Sequence, residues 1–323
     1  MFGPGTVRTG IDLGTGTVKL VRGEGDPRLQ VITHLGLEDW DPTGTDDDVS
    51  RASGALRRLL SRLGLTRGRL GRIATAVPGE ESSAREVIMP SLTEDELRRA
   101  LPFEARKHLT LDVMSDPVLD CQALGPAPRA APGDPEQVRV LLAAVPRERR
   151  DFPLKVLARL GLEPEVVDLE PMASLNALLG AAPSVPPEQP LAVLDLGGRQ
   201  AALHITRRAG GFLSRSVGPG VPTDAGDATW STYADELVGR IRETMTFYRG
   251  RYRQEVGRIH LAGGGALRSG LPERLSRGID QLVSLLDPSV GLKVKVGGEA
   301  AAAEGPRFVT ACGLCRWWDH ADV

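Results

Sequence analysis

Cysteine is scarce: three in 323 residues cannot build a disulfide framework. The Cys312-x-x-Cys315 pair has no second such pair and no paired histidines to complete a zinc site, so both read as ordinary reduced thiols, with a redox pair as the alternative. Long apolar runs are missing as well. No stretch approaches the ~20 apolar residues that cross a bilayer, and the opening MFGPGTVRTG lacks the charged-then-apolar plan of a secretory leader. A cytoplasmic protein with no direct membrane span is expected. Nor is there an excess of charge of one sign: the formal net charge is -2, which gives no strong field to favour nucleic acid or anionic lipid, and no nucleic-acid partner is expected. The histidines, His34, His108, His204, His260 and His320, are scattered and take no role. No Ser-His-Asp pattern and no metal cluster is evident.

What is present is an internal repeat. The chain is long enough for more than one compact unit, and each half opens on the same plan. In the first, Thr6 to Leu13 reads as a strand, Gly14 to Gly16 as a turn, Thr17 to Arg22 as a second strand and LQVITHLGL as a third. In the second, LAVLDLGGRQAALHITRRAGGFLSRSVG repeats the order, with Asp195 standing where Asp12 stood. A P-loop or dinucleotide site needs its glycine turn to open a helix. Here a strand follows each turn, because TGTVKLV and QAALHIT alternate at period two. Any ligand would meet amides from a hairpin tip.

Helical patterns fill the intervals. DDDVSRASGALRRLLSRLGL places Val49, Leu56, Leu59, Leu60 and Leu63 on one face. Thr93 and Glu96 predict a capping box before LRRALPFEARKHL, and Pro102 is expected to kink or divide that helix. YADELVGRIRETMTFYRGRY carries Leu237, Ile241, Met245 and Tyr248 at helical spacing. Two Pro-rich stretches punctuate the chain. GPAPRAAPGDPEQ lies between the apparent strands PVLDCQAL and VRVLLAAV, and GAAPSVPPEQP sits where the chain crosses between halves.

A third glycine cluster follows a strand in RIHLAGGGALRSGLPERLS, where consecutive glycines let the backbone pass close to a flat ligand face. The order of the three clusters resembles that of the actin, hexokinase and sugar-kinase superfamily, whose two related domains clamp ATP between them. The resemblance implies DLGTGTVK as phosphate-1, DLGGRQA as phosphate-2 and LAGGGAL as the adenosine turn. It implies that Gly14, Thr15, Gly16, Thr17, Gly197 and Gly198 offer phosphate-binding amides, that Lys19 adds charge to the β- or γ-phosphate, and that Gly263, Gly264 and Gly265 face the adenosine. Asp12 and Asp195 would hold Mg2+ through water.

The match narrows through ATAVPGEESSAREVIMPSLTEDELRRALPFEARKHL, VRVLLAAVPRERRDFPLKVLARLGLEPEVVDLEPMASLNAL and GPRFVTACGLCRW, which are similar to the PilM family of type IV pilus assembly proteins, itself related to FtsA and to the cytoplasmic region of the GspL class. The fold implied is α/β and actin-like (ribonuclease-H-like), with duplicated domains, an interdomain nucleotide cleft and an inserted small α/β subdomain. The expected division is 1–81 with 146–180 as the first domain, 82–145 as the insertion, 181–189 as a linker, 190–310 as the second domain, and 311–323 as a tail packing on the first.

Phosphate-2 departs from the superfamily pattern at Arg199, Gln200 and Ala201. Arg199 either pairs with the γ-phosphate, fills the phosphate space, or is a solvated surface arginine. DLEPMASLNAL resembles the connection in bacterial MreB where a glutamate serves hydrolysis, which makes Glu170 the catalytic candidate and Asp168 the second; an ordinary helix start with Pro171 in its first turn is the alternative. Glu236 and Arg240 look like the positions that reach ribose or base, or else form a surface ion pair. The family implies a cytoplasmic scaffold, peripheral to the inner membrane, that binds ATP with weak or no ATPase activity and recruits the cytoplasmic N-terminus of a PilN-like membrane protein alongside other pilus platform components. The peptide groove is expected between the first domain and the insertion, at REVIMPSL and FEARKHL. An active ATPase or small-molecule kinase and a filament former are the rival readings.

Overall fold

A computed structural model describes residues 6–25, 31–41, 43–79, 82–112, 114–127, 136–222, 227–295 and 304–317. Most of the first Pro-rich stretch, and His320 and the tail beyond 317, lie outside the described residues. The first half runs β1 (Val7–Leu13), β2 (Thr17–Glu24), β3 (Val31–Asp39), α1 (Asp48–Arg62) and β4 (Arg72–Val77). An excursion follows through β5 (Ser83–Pro90), α2 (Glu94–His108), β6 (Pro117–Pro126) and β7 (Gln137–Pro146). The chain returns by α3 (Arg147–Ala158), β8 (Val166–Leu169) and α4 (Glu170–Ala181). The second half runs β9 (Leu191–Leu196), β10 (Gln200–Thr206), β11 (Leu213–Pro219), α5 (Asp227–Tyr252), β12 (Arg258–Ala262), α6 (Leu271–Ile279) and β13 (Leu282–Leu285), and the chain closes with β14 (Lys293–Val294) and α7 (Val309–Cys315).

The two large sheets have one topology. Their orders are β14-β3-β2-β1-β4-β8 and β11-β10-β9-β12-β13, so each is an antiparallel meander whose first strand also pairs in parallel with a later strand. That central strand is covered on both faces, which suits the largely apolar LAVLDL of β9. Leu191–Leu196 is buried at every position. The excursion folds as a separate sheet, β5-β7-β6, with α2 packed on one face through Val87, Met89, Leu97, Ala105 and Leu142.

The helices follow the sequence pattern with one difference. Leu56, Leu59 and Leu60 of α1 pack on Val18 and Leu20, and Leu237, Ile241 and Tyr248 of α5 pack on the second sheet. The capping box of α2 is formed, with Thr93 and Glu96 each bonded to the other's backbone. Pro102, however, does not divide α2, which is continuous from Glu94 to His108. Pro102 faces solvent, where water can serve the carbonyl that its missing N–H leaves behind.

The chain rejoins the first sheet before residue 311. Lys293 and Val294 pair in parallel with Val31 and Ile32, a pairing too short to leave a sequence pattern. Helix α7 is buried throughout and packs on β1 and α4. A side chain on Gly10 would collide with Ala311 and Cys315. Cys312 and Cys315 lie among Val21, Ile32 and Phe308, where burial pushes the Cys315 thiol up to about 11 and the Cys312 thiol higher, so neither is a thiolate at neutral pH. Among the described residues no helix is long and apolar enough to cross a membrane.

Candidate functional site

The duplicated meanders point their first turns at one another. Each turn is closed by its own backbone: Gly14 N donates to Thr17 O at 2.9 Å, and Gly197 N to Gln200 O at 3.1 Å. The Gly14 and Gly197 amides thus shape the tips, while both residues line the cleft below. The amides of Thr15, Gly16 and Gly198 are left at the tips. A Cβ on Gly198 would lie 3.9 Å from the Thr15 Cβ, so the tips nearly touch across the gap between the halves.

Beneath the tips lies a cleft of about 850 Å³. Asp12, Lys19, Glu170 and Asp195 line it together with the hairpin residues and Gly263, Gly264 and Gly265. Asp12 and Asp195 are each next to last in the central strand of their sheet, which is what carries both to the cleft. Gly263 has φ +83, and a Cβ there would stand 2.6 Å from Asp195 Oδ1 and 2.5 Å from Leu196 O. A side chain would thus displace the acid itself. Gly263 N donates to Pro306 O at 2.8 Å, which fixes this turn against the returning chain.

Four ionisable groups share the floor. Lys19 Nζ meets Asp12 Oδ2 at 2.7 Å. Burial works against the Lys19 ammonium, but Asp12, helped by Glu170 and Asp195, outweighs it and leaves the pKa raised. Glu170 Oε2 accepts from Gly79 N at 3.1 Å. Burial first, and then the charges of Asp195 and Asp12, hold the Glu170 carboxyl well above the carboxylate range. Burial raises Asp195 too, against the pull of Lys19. The floor therefore holds more acid than base, which is the electrostatic condition for taking up a cation.

Not every expected residue arrives. Glu236 and Arg240 are exposed on α5 and do not line the cleft, because the apolar face of α5 set by Leu237 and Ile241 turns them away from it. Asp168, next to last in β8, has Oδ1 accepting from Leu169 N at 2.8 Å and also lies outside the lining. Arg199 lines the cleft but is exposed, which places it at the rim and not across the floor. Residues that the sequence did not single out complete the walls. Arg268 stacks on Trp230 with 4.1 Å from guanidinium to ring centroid, three positions past Gly265. Trp40, Arg149, Phe152 and Arg307 come from segments with no glycine signal.

Comparison with known proteins gives a consistent picture. The family model described as type IV pilus assembly protein PilM matches residues 10–221 and 219–316. Among solved structures, the PilM-PilN type IV pilus biogenesis complex is similar with TM-score 0.77 at 23% identity, over 95% of this chain and 97% of that one. The diol dehydratase-reactivating factor in nucleotide-free form has TM-score 0.50 at 10% identity, over 95% and 98%. Cell division protein FtsA of Agrobacterium fabrum (strain C58) is 37% identical over 90 residues, 26% of this chain and 19% of that relative. The chain thus aligns with about a fifth of the length of the curated relatives it matches. The fold is actin-like.

Proposed function

Because the chain belongs to the type IV pilus assembly protein PilM family, we propose that it is an ATP-binding actin-like scaffold that recruits the cytoplasmic N-terminal peptide of a PilN-like membrane protein to an inner-membrane pilus platform. The observation that carries this reading is the pair of glycine hairpins meeting tip to tip over Asp12 and Asp195. Phosphate oxygens fit the tip amides of Thr15, Gly16 and Gly198, with Lys19 below them. Among the described residues no three His, Cys, Asp or Glu side chains converge to hold a metal unaided. Two hard carboxylates suit Mg2+, which keeps several waters and takes its other ligands from phosphate. Bound there, Mg2+ would neutralise phosphate charge. The stack of Arg268 on Trp230 beside the glycine turn supplies a flat cationic wall for a base.

Weak or absent turnover is part of the same proposal. The candidate base Glu170 already accepts a hydrogen bond from Gly79 N, which occupies one of its oxygens. The solved structure with TM-score 0.77 is of PilM with PilN, which supports a PilN-like partner here. So do Ile88 on β5 and Phe103 on α2, large apolar side chains that are 56% and 72% exposed in the two stretches named from the sequence. Strand β5 is an edge of its sheet, the position at which a peptide strand would add.

The test is to purify the protein, identify co-purifying nucleotide by mass spectrometry, and titrate a PilN-type N-terminal peptide by calorimetry with and without ATP. Retained ATP in preference to ADP, its loss in Asp12→Ala, and peptide binding are expected. Rapid phosphate release abolished by Glu170→Ala would favour the ATPase reading, and failure to bind nucleotide or peptide would overturn the proposal.

A further inference from the structure

The inserted subdomain is held by both halves of the molecule. Its entry strand β5 begins four residues after Gly79, whose N–H is taken by Glu170 on the cleft floor. Further along β5, Glu86 reaches the other half: its Oε2 accepts from Gly211 N at 2.8 Å and from Phe212 N at 3.2 Å, in the turn between β10 and β11. Arg139 on β7 crosses the same gap and donates from Nη1 to Ala209 O at 2.9 Å, with Glu86 Oε1 3.7 Å away. Both side chains are largely buried, at 11% and 16% exposure, so these are charge-assisted bonds in a partly dry setting.

We propose that Glu86 and Arg139 form an interdomain latch that ties the orientation of the inserted subdomain to the closure of the cleft. The keeper is built to receive them. Gly210 and Gly211 have φ +104 and +100, a conformation that presents the Ala209 carbonyl and two successive amides to the subdomain. A Cβ on Gly210 would collide with the Arg139 guanidinium and stand 2.8 Å from Glu86. From its own side the turn is made rigid by Arg207 Nε donating to Gly210 O at 2.7 Å and by the Tyr252 hydroxyl donating to Phe212 O at 3.1 Å. Below the polar contacts, Leu141 and Phe212 are buried in one cluster with Leu175 and Leu178 of α4. The latch needs Ala209 to Phe212 at a fixed distance from β5 and β7, and β5 is anchored to the first half. Opening the cleft by rotating the halves apart must therefore either break these bonds or carry the subdomain along. The latch itself does not depend on what the cleft holds; its link to ATP rests on the reading above.

Hydrogen exchange on the full chain tests this, comparing wild type, Glu86→Ala and Gly210→Ala, each first shown to be folded by circular dichroism. Exchange in 207–214, 84–90 and 137–142 is expected to accelerate together in both variants, by about ten-fold or more given the strength of charge-assisted bonds. Acceleration confined to 207–214, with the subdomain strands unchanged, would overturn the latch. Glu94→Ala, at an exposed ion pair on α2, is expected to change none of the three segments. With ATP and Mg2+ added, exchange of the latch segments is expected to slow in wild type and not in Glu86→Ala; equal slowing in both would overturn the coupling. Should ATP alter neither protein, the cleft reading fails, while exchange without nucleotide still decides the latch.

Discussion

Asp12 and Lys19 are direct cross-strand partners, and their charges meet at 2.7 Å. The repeat does not reproduce the pair: Ala202 stands opposite Asp195. One acid of the duplicated site thus carries its own counter-ion, and the other faces the cleft without a cationic side chain opposite it. This asymmetry suits a single cation bound on the second acid's side.

Lys19→Ala strips the floor of its cation while three carboxyl groups stay behind. Removing one partner of a largely buried pair costs about 3 kcal/mol, which urea denaturation would read as a lower midpoint. Added Mg2+ should recover more stability in this variant than in wild type, because the acids then have a replacement counter-ion.

Gly263→Ala should reduce nucleotide retention without touching a charged residue. The new Cβ would meet Asp195 Oδ1 and Leu196 O in a left-handed conformation, at a stability cost of roughly 1–3 kcal/mol. Unchanged ATP content by mass spectrometry would show that the third turn does not shape the site.

His204 makes the fold sensitive to acid. It is buried, with Nδ1 at 2.9 Å from the Ser214 hydroxyl, and burial pushes its pKa down to about 4. The unfolded chain takes up this proton near its ordinary value of 6.5, so stability is full above that pH and is lost as pH falls from about 6.5 toward 4. His260 is depressed likewise, first by burial and then by Arg258, and adds to the slope. His204→Asn should flatten the fall in unfolding midpoint between pH 7 and 5 without abolishing it.

Asp168 behaves oppositely. Burial raises its carboxyl to about 6, so its contribution is present at low pH and is lost as pH rises through 6. Since the residue is only half-buried, Asp168→Asn should stabilise the protein at pH 7.5 by roughly 1 kcal/mol or less. Nucleotide retention should not change, because Asp168 lies outside the cleft lining.

The hairpins were legible because their signal is local. Period-two alternation on either side of an Asp-x-Gly turn specifies strand, turn and strand within a dozen residues, and the repeat identifies which acids correspond. Glu170 was reached by resemblance, through the DLEP connection, because the local pattern there gives only a helix start at Pro171. Glu236 and Arg240 illustrate the limit. Helical spacing shows that they share a face, but which face turns to the cleft is set by how Leu237 and Ile241 pack. Trp40, Arg149 and Arg307 join the cleft from three distant segments, and no spacing along the chain connects them.

By itself the sequence determined the duplicated hairpin plan, the two corresponding acids and the three glycine turns, written in short-range patterns of strand alternation and turn chemistry, while the actin-like fold and the inserted unit came from resemblance to a known family. The tertiary structure decided that Glu170 and Asp195 join the Asp12–Lys19 pair in one cleft, that Glu236 and Arg240 face away from it, and that Glu86 and Arg139 reach across to the turn at Gly210. These depend on the packing of segments far apart in the chain, and a contact between residues 86 and 211 leaves no periodic trace in either.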